Sequence, residues 1–190
     1  NNKKHRKILI LHDNSGSVHF TKFDDKRIVN VKQIEAETWL LKKLGIQPSE
    51  NICLVTFSGK PVEQPAGIWK AVKQRLNSLS NHDGNWTNTA DAAKHLSDNL
   101  ARFYPNLNDP DYDNILIFQT DGQMGYQGIT SSGLSNLKTN TQTYFNNICS
   151  NGITLYISAV SADNIDYSKC SLEQSASASG VDLLDLVKGN

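Results

Sequence analysis

Four short runs of apolar residues stand out in the pattern of hydrophobic and polar positions. Each run is rich in β-branched or aromatic residues and shows little alternation between apolar and polar positions, which is typical of strands covered on both faces. We therefore predict four buried β-strands, at residues 8–12, 52–57, 115–118 and 153–160.

The segments between these runs have a different period. Apolar residues recur there at spacings of three and four, as on a helix that packs one face against a sheet. We predict helices at residues 25–44, 67–79, 90–104 and 134–148, and a short last helix in the "VDLLDLV" stretch. The alternation of strands and helices predicts an α/β fold with a doubly wound, mostly parallel sheet flanked by helices. Ligands of such sheets bind beyond the carboxyl ends of the strands.

Composition narrows the class of protein. The 190 residues suit one domain, so we predict a single domain over residues 1–190. Hydrophobic residues make up 38% and charged residues 20%, which fits a globular protein. The net charge of +0 argues against binding nucleic acid through bulk charge. The apolar runs fall well short of the about 18 residues that span a membrane, so we expect no direct membrane insertion.

The three cysteines do not form a recognisable motif. Without a C-x-x-C spacing they indicate neither a zinc site nor a dense disulfide framework. Cys53 lies within an apolar run and is predicted to be a buried thiol. A disulfide between Cys149 and Cys170 is possible but is not assumed.

Short oxygen-bearing side chains follow two of the predicted strands and open one helix. The three segments are "HDNSGSV" after the first strand, "NWTNTADAA" at a helix start and "IFQTDGQ" at the end of the third strand. In a doubly wound sheet all three lie at the same edge. Two carboxylates and three hydroxyls would meet there: Asp13, Ser15, Ser17, either Thr87 or Thr89, and Asp121.

This set of donors favours a hard cation. Mg²⁺ prefers about six oxygens in octahedral geometry and often keeps some waters, while Mn²⁺ or Ca²⁺ could substitute. His12 should point to the other side of the strand end, because side chains alternate along a strand. A lone D-x-S-x-S is more often a turn or a helix cap. The joint occurrence of the three segments, in this order, is what predicts a metal site.

This arrangement resembles the von Willebrand factor type A (vWA) domain family and its metal-ion-dependent adhesion site (MIDAS). The resemblance extends from residue 8 to about residue 160. It implies that one divalent cation is held by Asp13, Ser15, Ser17, Thr87 and Asp121. Thr87 is preferred to Thr89 because "WTNTADAA" lines up with the "GTNTGxAL" pattern of the family. Two departures are Trp86 and Ala90, which stand where the family has glycine.

The resemblance implies binding rather than catalysis. One coordination position would be left to water, which an Asp or Glu carboxylate of a protein ligand would replace. Further ligand contacts are expected from side chains beside the site: Asn14, Trp86, Met124 and Tyr126. We expect a cell-surface or extracellular location, with a bacterial surface or pilus favoured.

Two alternatives remain at this point. One is an intracellular vWA domain in the cytoplasm that acts as an assembly partner of an ATPase complex. The other is a magnesium-dependent hydrolase, disfavoured because the chain has no phosphate-binding loop, no dinucleotide fingerprint and no nucleophile elbow. We therefore expect the protein not to be an enzyme. The sequon at residues 85–87 would place a glycan beside the metal, which argues against a glycosylating secretory route.

Overall fold

The computed structural model describes residues 5–80, 87–121, 124–125 and 129–160. Five strands and six helices are found in these ranges. The strands are β1 (His5–Asp13), β2 (Asn51–Phe57), β3 (Pro61–Ile68), β4 (Tyr112–Thr120) and β5 (Thr154–Ala159). The helices are α1 (Gly16–Phe20), α2 (Val29–Lys43), α3 (Trp69–Asn77), α4 (Thr89–Asp98), α5 (Leu100–Phe103) and α6 (Ser131–Ser150).

The strands form one sheet in the order β3-β2-β1-β4-β5. Strand β1 lies at its centre and pairs in parallel with both β2 and β4, so that Ile8 lies between Ile52 and Ile115. Strand β5 is parallel to β4, whereas β3 is antiparallel to β2. The predicted mostly parallel α/β sheet is confirmed. The chain reverses its direction of travel across the sheet between β1 and β4, and this switch point is where such folds bind ligands.

The sheet is buried on both faces, which explains the uninterrupted apolar runs. Successive residues of β1 enter opposite halves of the core. Leu9 and Leu11 pack with residues of α4, α5 and α6. Ile8 and Ile10 pack with residues of α2 and α3 on the other face. All four side chains are fully buried.

Strand β3 is the main element that the sequence pattern does not predict. Its sequence "PVEQPAGI" contains two prolines and no long apolar run, and most of its side chains are exposed or half-buried. Proline cannot donate to a neighbouring strand, so it is found mainly on edge strands such as this one.

The helix bounds also differ from the prediction. Helix α2 begins at Val29 instead of residue 25, because the preceding turn has Lys26 at a positive φ of 71° and Lys22 pairs with Ile28. Helix α3 starts only at Trp69, where β3 ends. The predicted helix at 90–104 is divided at Asn99, whose backbone leaves the helical region. The one-turn helix α1 was not predicted.

Cys53 is half-buried rather than fully buried and packs against the core. Cys170 and the predicted last helix lie outside the described residues. Among the residues that are described, no helix is long and apolar enough to cross a membrane.

Candidate metal centre

Asp13 ends the central strand and is fully buried. Donors from the turn after β1 and from the end of β4 hold its carboxylate. The backbone N–H of Ser15 donates to Oδ1 at 2.9 Å, and the Thr120 hydroxyl donates to Oδ2 at 2.9 Å. The backbone N–H of Asp121 lies 3.4 Å from the same Oδ2. The end of β4 is therefore tied to the end of β1 through this one carboxylate.

Hydroxyl groups continue the chain of contacts. The Oγ atoms of Ser15 and Ser17 lie 3.1 Å apart, and the Ser17 hydroxyl donates to Oδ2 of Asp121. Ser15 occupies the position before α1, yet its side chain makes no capping hydrogen bond. The helix-cap interpretation of the D-x-S-x-S motif is therefore not supported. Four of the five predicted ligands, Asp13, Ser15, Ser17 and Asp121, form one connected cluster.

Thr87 lies at the same edge of the sheet but is positioned separately. Its backbone exchanges two hydrogen bonds of 2.9 Å with Gly125, four residues beyond Asp121. The next residue, Asn88, donates its backbone N–H to the Ser58 carbonyl after β2. Thr87 is 5% exposed. In the described part of the chain, no hydrogen bond joins its side chain to the other four predicted ligands.

The charges of this cluster suit a bound cation. A buried carboxylate is costly unless a cation or hydrogen bonds compensate it. Asp13 has hydrogen-bond donors, but it forms no ion pair with any described residue. Asp121 is also buried, at 4% exposure. Two carboxylates with neighbouring hydroxyls are hard oxygen donors of the kind that Mg²⁺ prefers, so the residues present fit a divalent cation.

The described part of the chain contains no group of three or more His, Cys, Asp and Glu side chains that could hold a metal. The candidate centre has two carboxylates and relies on hydroxyls for its remaining donors. This ligand chemistry differs from that of structural zinc sites, which are built from Cys and His.

A second polar cluster supports the same strand end from the opposite face. His12 points away from Asp13, as predicted, and its Nδ1 contacts Glu37 while its Nε2 lies 2.7 Å from Asn30 Oδ1. Burial would lower the pKa of His12, but the charge of Glu37 and hydrogen bonds to Glu37 and Asn30 raise it above the ordinary value. Gln33 donates to the Asp13 carbonyl at 3.1 Å. Helix α2 thereby holds the backbone of a predicted metal ligand.

The sequence analysis missed this cluster, although a signal was present. Asn30, Gln33 and Glu37 are spaced by three and four, so they share one face of α2. All three are at most 3% exposed. Three polar residues on the buried face of a helix indicate a polar partner on the sheet, and here that partner is the end of β1.

The predicted contacts to a protein ligand have different surroundings. Asn14 is half-buried, donates from Nδ2 to the Ser80 carbonyl at 3.3 Å and accepts from His19 Nε2 at 2.5 Å. Met124 is half-buried, and its sulfur lies 3.9 Å from the Thr141 hydroxyl of α6. Trp86 and Tyr126 lie outside the described residues.

Comparison with known proteins identifies the family. The family model described as von Willebrand factor type A domain matches residues 7–182. The chain therefore belongs to the von Willebrand factor type A domain family. No curated protein matches the chain.

Solved structures show the same fold at low sequence identity. Manganese-loaded TRAP protein of Plasmodium vivax has 15% identity and a TM-score of 0.61, with 93% of this chain and 63% of that chain covered. Proximal thread matrix protein 1 of the mussel byssus, with a zinc-occupied MIDAS motif, has 17% identity and a TM-score of 0.59, with 97% and 46% covered. A variant of the PilB minor pilin of Streptococcus sanguinis has 15% identity and a TM-score of 0.62, with 94% and 56% covered.

This chain spans only part of each of these proteins, between 46% and 63% of their length. The similarity at this level of identity concerns the fold. Two of the names describe a thread matrix protein and a minor pilin.

Proposed function

We propose that the chain is a divalent-cation-dependent protein-binding domain of the adhesion type. In this proposal a MIDAS cation is held by Asp13, Ser15, Ser17, Thr87 and Asp121. The observation that carries it is the hydrogen-bonded cluster that joins the ends of β1 and β4 at the switch point of the sheet. Thr87 is included because its backbone pairing with Gly125 brings it to the same edge.

The proposed cation is Mg²⁺, with Mn²⁺ or Ca²⁺ as possible substitutes. The donors are all oxygen and include only two carboxylates, so a bound divalent cation would keep a strong attraction for a further carboxylate. We infer that an Asp or Glu side chain of a protein ligand completes the coordination. A divalent cation is supported by two proteins of the same fold, one solved with manganese and one with zinc in its MIDAS motif.

The proposed place of action is a cell surface or pilus, with a bacterial surface favoured. The support is the fold that this chain shares with a minor pilin and with a protein of the mussel byssus. The proposed activity is binding, and it assigns no catalytic residue.

Calorimetric titration with Mg²⁺ and Mn²⁺ tests the proposal. The native chain should bind one cation, and the Asp13→Ala and Asp121→Ala variants should not. The control is Asp98→Ala, which removes an exposed carboxylate that pairs with Lys94 at 2.5 Å on α4. This variant should bind like the native chain. Unchanged binding by both site variants would refute the assignment of the ligands.

A further inference from the structure

A pocket of about 300 Å³ opens beside the candidate metal centre. It lies between the turn from β2 to β3 and the end of α3, at the same edge of the sheet as the cluster of oxygen side chains. Its floor includes Thr56 and Ser58, which are 2% and 4% exposed. The floor is therefore polar, and the pocket suits a group that can accept or donate hydrogen bonds.

The charged groups among the described residues of this pocket are all positive. Lys60 and Arg75 line it, are exposed, and form no ion pair with any described residue. No acidic side chain is found among the described residues that line it. The remaining polar lining is made of hydroxyls and amides, such as Gln64, which donates to the Thr56 hydroxyl at 3.2 Å. Two cations that have no ion-pair partner and no carboxylate beside them among the described residues favour binding of an anion.

The pocket also has an apolar component. Val62 and Leu79 contribute to its wall. Charged side chains can lay their methylene groups along apolar surface while the charged end contacts polar groups. A short methylene stem that ends in a carboxylate therefore matches this lining. The side chain of glutamate or aspartate has this form.

The pocket shares one residue with the candidate metal centre. Asn14 lies between Asp13 and Ser15 in the chain and also lines the pocket. Its amide donates to the Ser80 carbonyl, and its backbone N–H donates to the Phe57 carbonyl at 2.7 Å. Ser80 and Phe57 are themselves pocket residues. A ligand bound at the metal can therefore reach the pocket by passing over Asn14.

We propose that this pocket binds a second acidic side chain of the same protein ligand whose first carboxylate coordinates the cation. The proposal rests on the proposed function. The partner it defines is an acidic segment with two carboxylates, one for the metal and one for Lys60 and Arg75. Selection of such a segment would distinguish the true ligand from a protein that presents a single exposed Asp or Glu.

The test uses blocked peptides of Gly and Ser that contain either one Glu or two Glu separated by two to six residues. Binding is followed by amide chemical shifts of the isotope-labelled full chain in saturating Mg²⁺. At least one two-Glu peptide should bind more tightly than the one-Glu peptide and shift the amides of Asn14 and Ser80. The Lys60→Gln/Arg75→Gln variant should lose most of that advantage, up to about fivefold for each of the two ion pairs removed, which is the most that an exposed ion pair contributes.

A matched control is the Lys70→Gln/Lys73→Gln variant, which removes two exposed charges of α3 outside the pocket. It should keep the preference for two glutamates. An equal loss in this control would mean that only the overall charge matters, which would overturn the pocket assignment. Melting temperatures of both variants confirm that they fold.

The remaining outcomes separate the two proposals. If one-Glu binding requires Mg²⁺ but no two-Glu peptide binds more tightly, the pocket proposal fails and the proposed function stands. If two-Glu binding persists in a chelator and in Asp13→Ala, the coupling to a cation fails. If inorganic phosphate displaces the second Glu at lower concentration than acetate does, the pocket selects phosphate and the carboxylate assignment is overturned. Absence of any shift at millimolar peptide overturns the pocket proposal as well.

Discussion

His12 and Asp13 are consecutive, buried and ionisable, yet their side chains have different kinds of partner. His12 faces α2, where Glu37 supplies the opposite charge and Asn30 contacts the second ring nitrogen. Asp13 faces the switch point of the sheet, where its described partners are neutral donors. Among the described residues, one side of the strand end has an internal counter-charge and the other side does not. We infer that the first is structural and the second is completed by a cation.

The largest expected effect is on the His12 side. Glu37→Ala would leave the buried His12 ring without the carboxylate that raises its pKa, and removing one partner of a buried charged pair costs about 3–5 kcal/mol. Urea denaturation should show a loss of this size in the free energy of unfolding. Glu37→Gln, which keeps an acceptor oxygen, should lose less. A loss below about 1 kcal/mol in Glu37→Ala would mean that the pair contributes little to folding.

On the Asp13 side the expected effect depends on the cation. Mg²⁺ at one hundred times its dissociation constant should stabilise the native chain by about 2.7 kcal/mol. Asp13→Asn should abolish this gain because it removes a ligand charge. Its stability without metal should change by less than this, because the loss of one accepting oxygen is offset by the loss of a buried charge. Thermal unfolding with Mg²⁺ and with a chelator measures both quantities. Equal stabilisation of the native chain and the variant by Mg²⁺ would contradict the comparison.

Gln33 lies in the polar cluster of His12 and also donates to the Asp13 carbonyl. Its replacement should therefore lower both the free energy of unfolding and the Mg²⁺ affinity, each by less than the changes described above. Gln33→Leu removes the donor to the Asp13 carbonyl and should lower the free energy of unfolding by about 1 kcal/mol. Because the carbonyl belongs to a proposed ligand, Mg²⁺ affinity should fall by roughly tenfold. Chemical denaturation and calorimetry provide the two values. The control is Gln74→Leu on the exposed face of α3, which should change neither.

The smallest effect is expected at an exposed ion cluster, which provides the contrast to His12 and Glu37. Hydrogen bonding to Arg102 lowers the pKa of Glu63 to about 2. A lowered pKa in the folded state stabilises the protein above the ordinary pKa, and this contribution disappears as the pH falls from about 4.5 towards 2. Glu63→Gln should therefore be less stable at pH 7 by under about 1 kcal/mol, because the side chain is exposed. The difference from the native chain should shrink in denaturation curves measured below pH 4; a constant difference would refute the role of the charge.

Much of this comparison was predictable from the sequence. Apolar runs without alternation located the buried parallel strands, and the alternation with helices placed their carboxyl ends at one edge. The positions of Asp13 and Asp121 directly after such strands then brought them together. The opposite direction of His12 followed from the alternation of side chains. These inferences needed only local periodicity and the order of elements along the chain.

The rest depended on tertiary contacts that a local pattern does not contain. The edge strand β3 has two prolines and exposed side chains, so its pattern is that of a loop. The donation from Thr120 to Asp13 arises from the register of β1 and β4, which the sequence does not specify. The pocket at Lys60 and Arg75 exists because β3 turns back beside β2 and leads into α3. Its parts are distant in the chain, and their combination becomes visible only in the folded protein.

Anomalous diffraction from crystals of the chain soaked in Mn²⁺ would show whether the cluster at the end of β1 binds a metal. We expect one strong peak there, within bonding distance of oxygens of Asp13, Ser15 and Ser17, and none beside His12 and Glu37. A peak elsewhere, or no peak at a manganese concentration that saturates the chain in calorimetry, would contradict the assignment of this cluster as the metal centre.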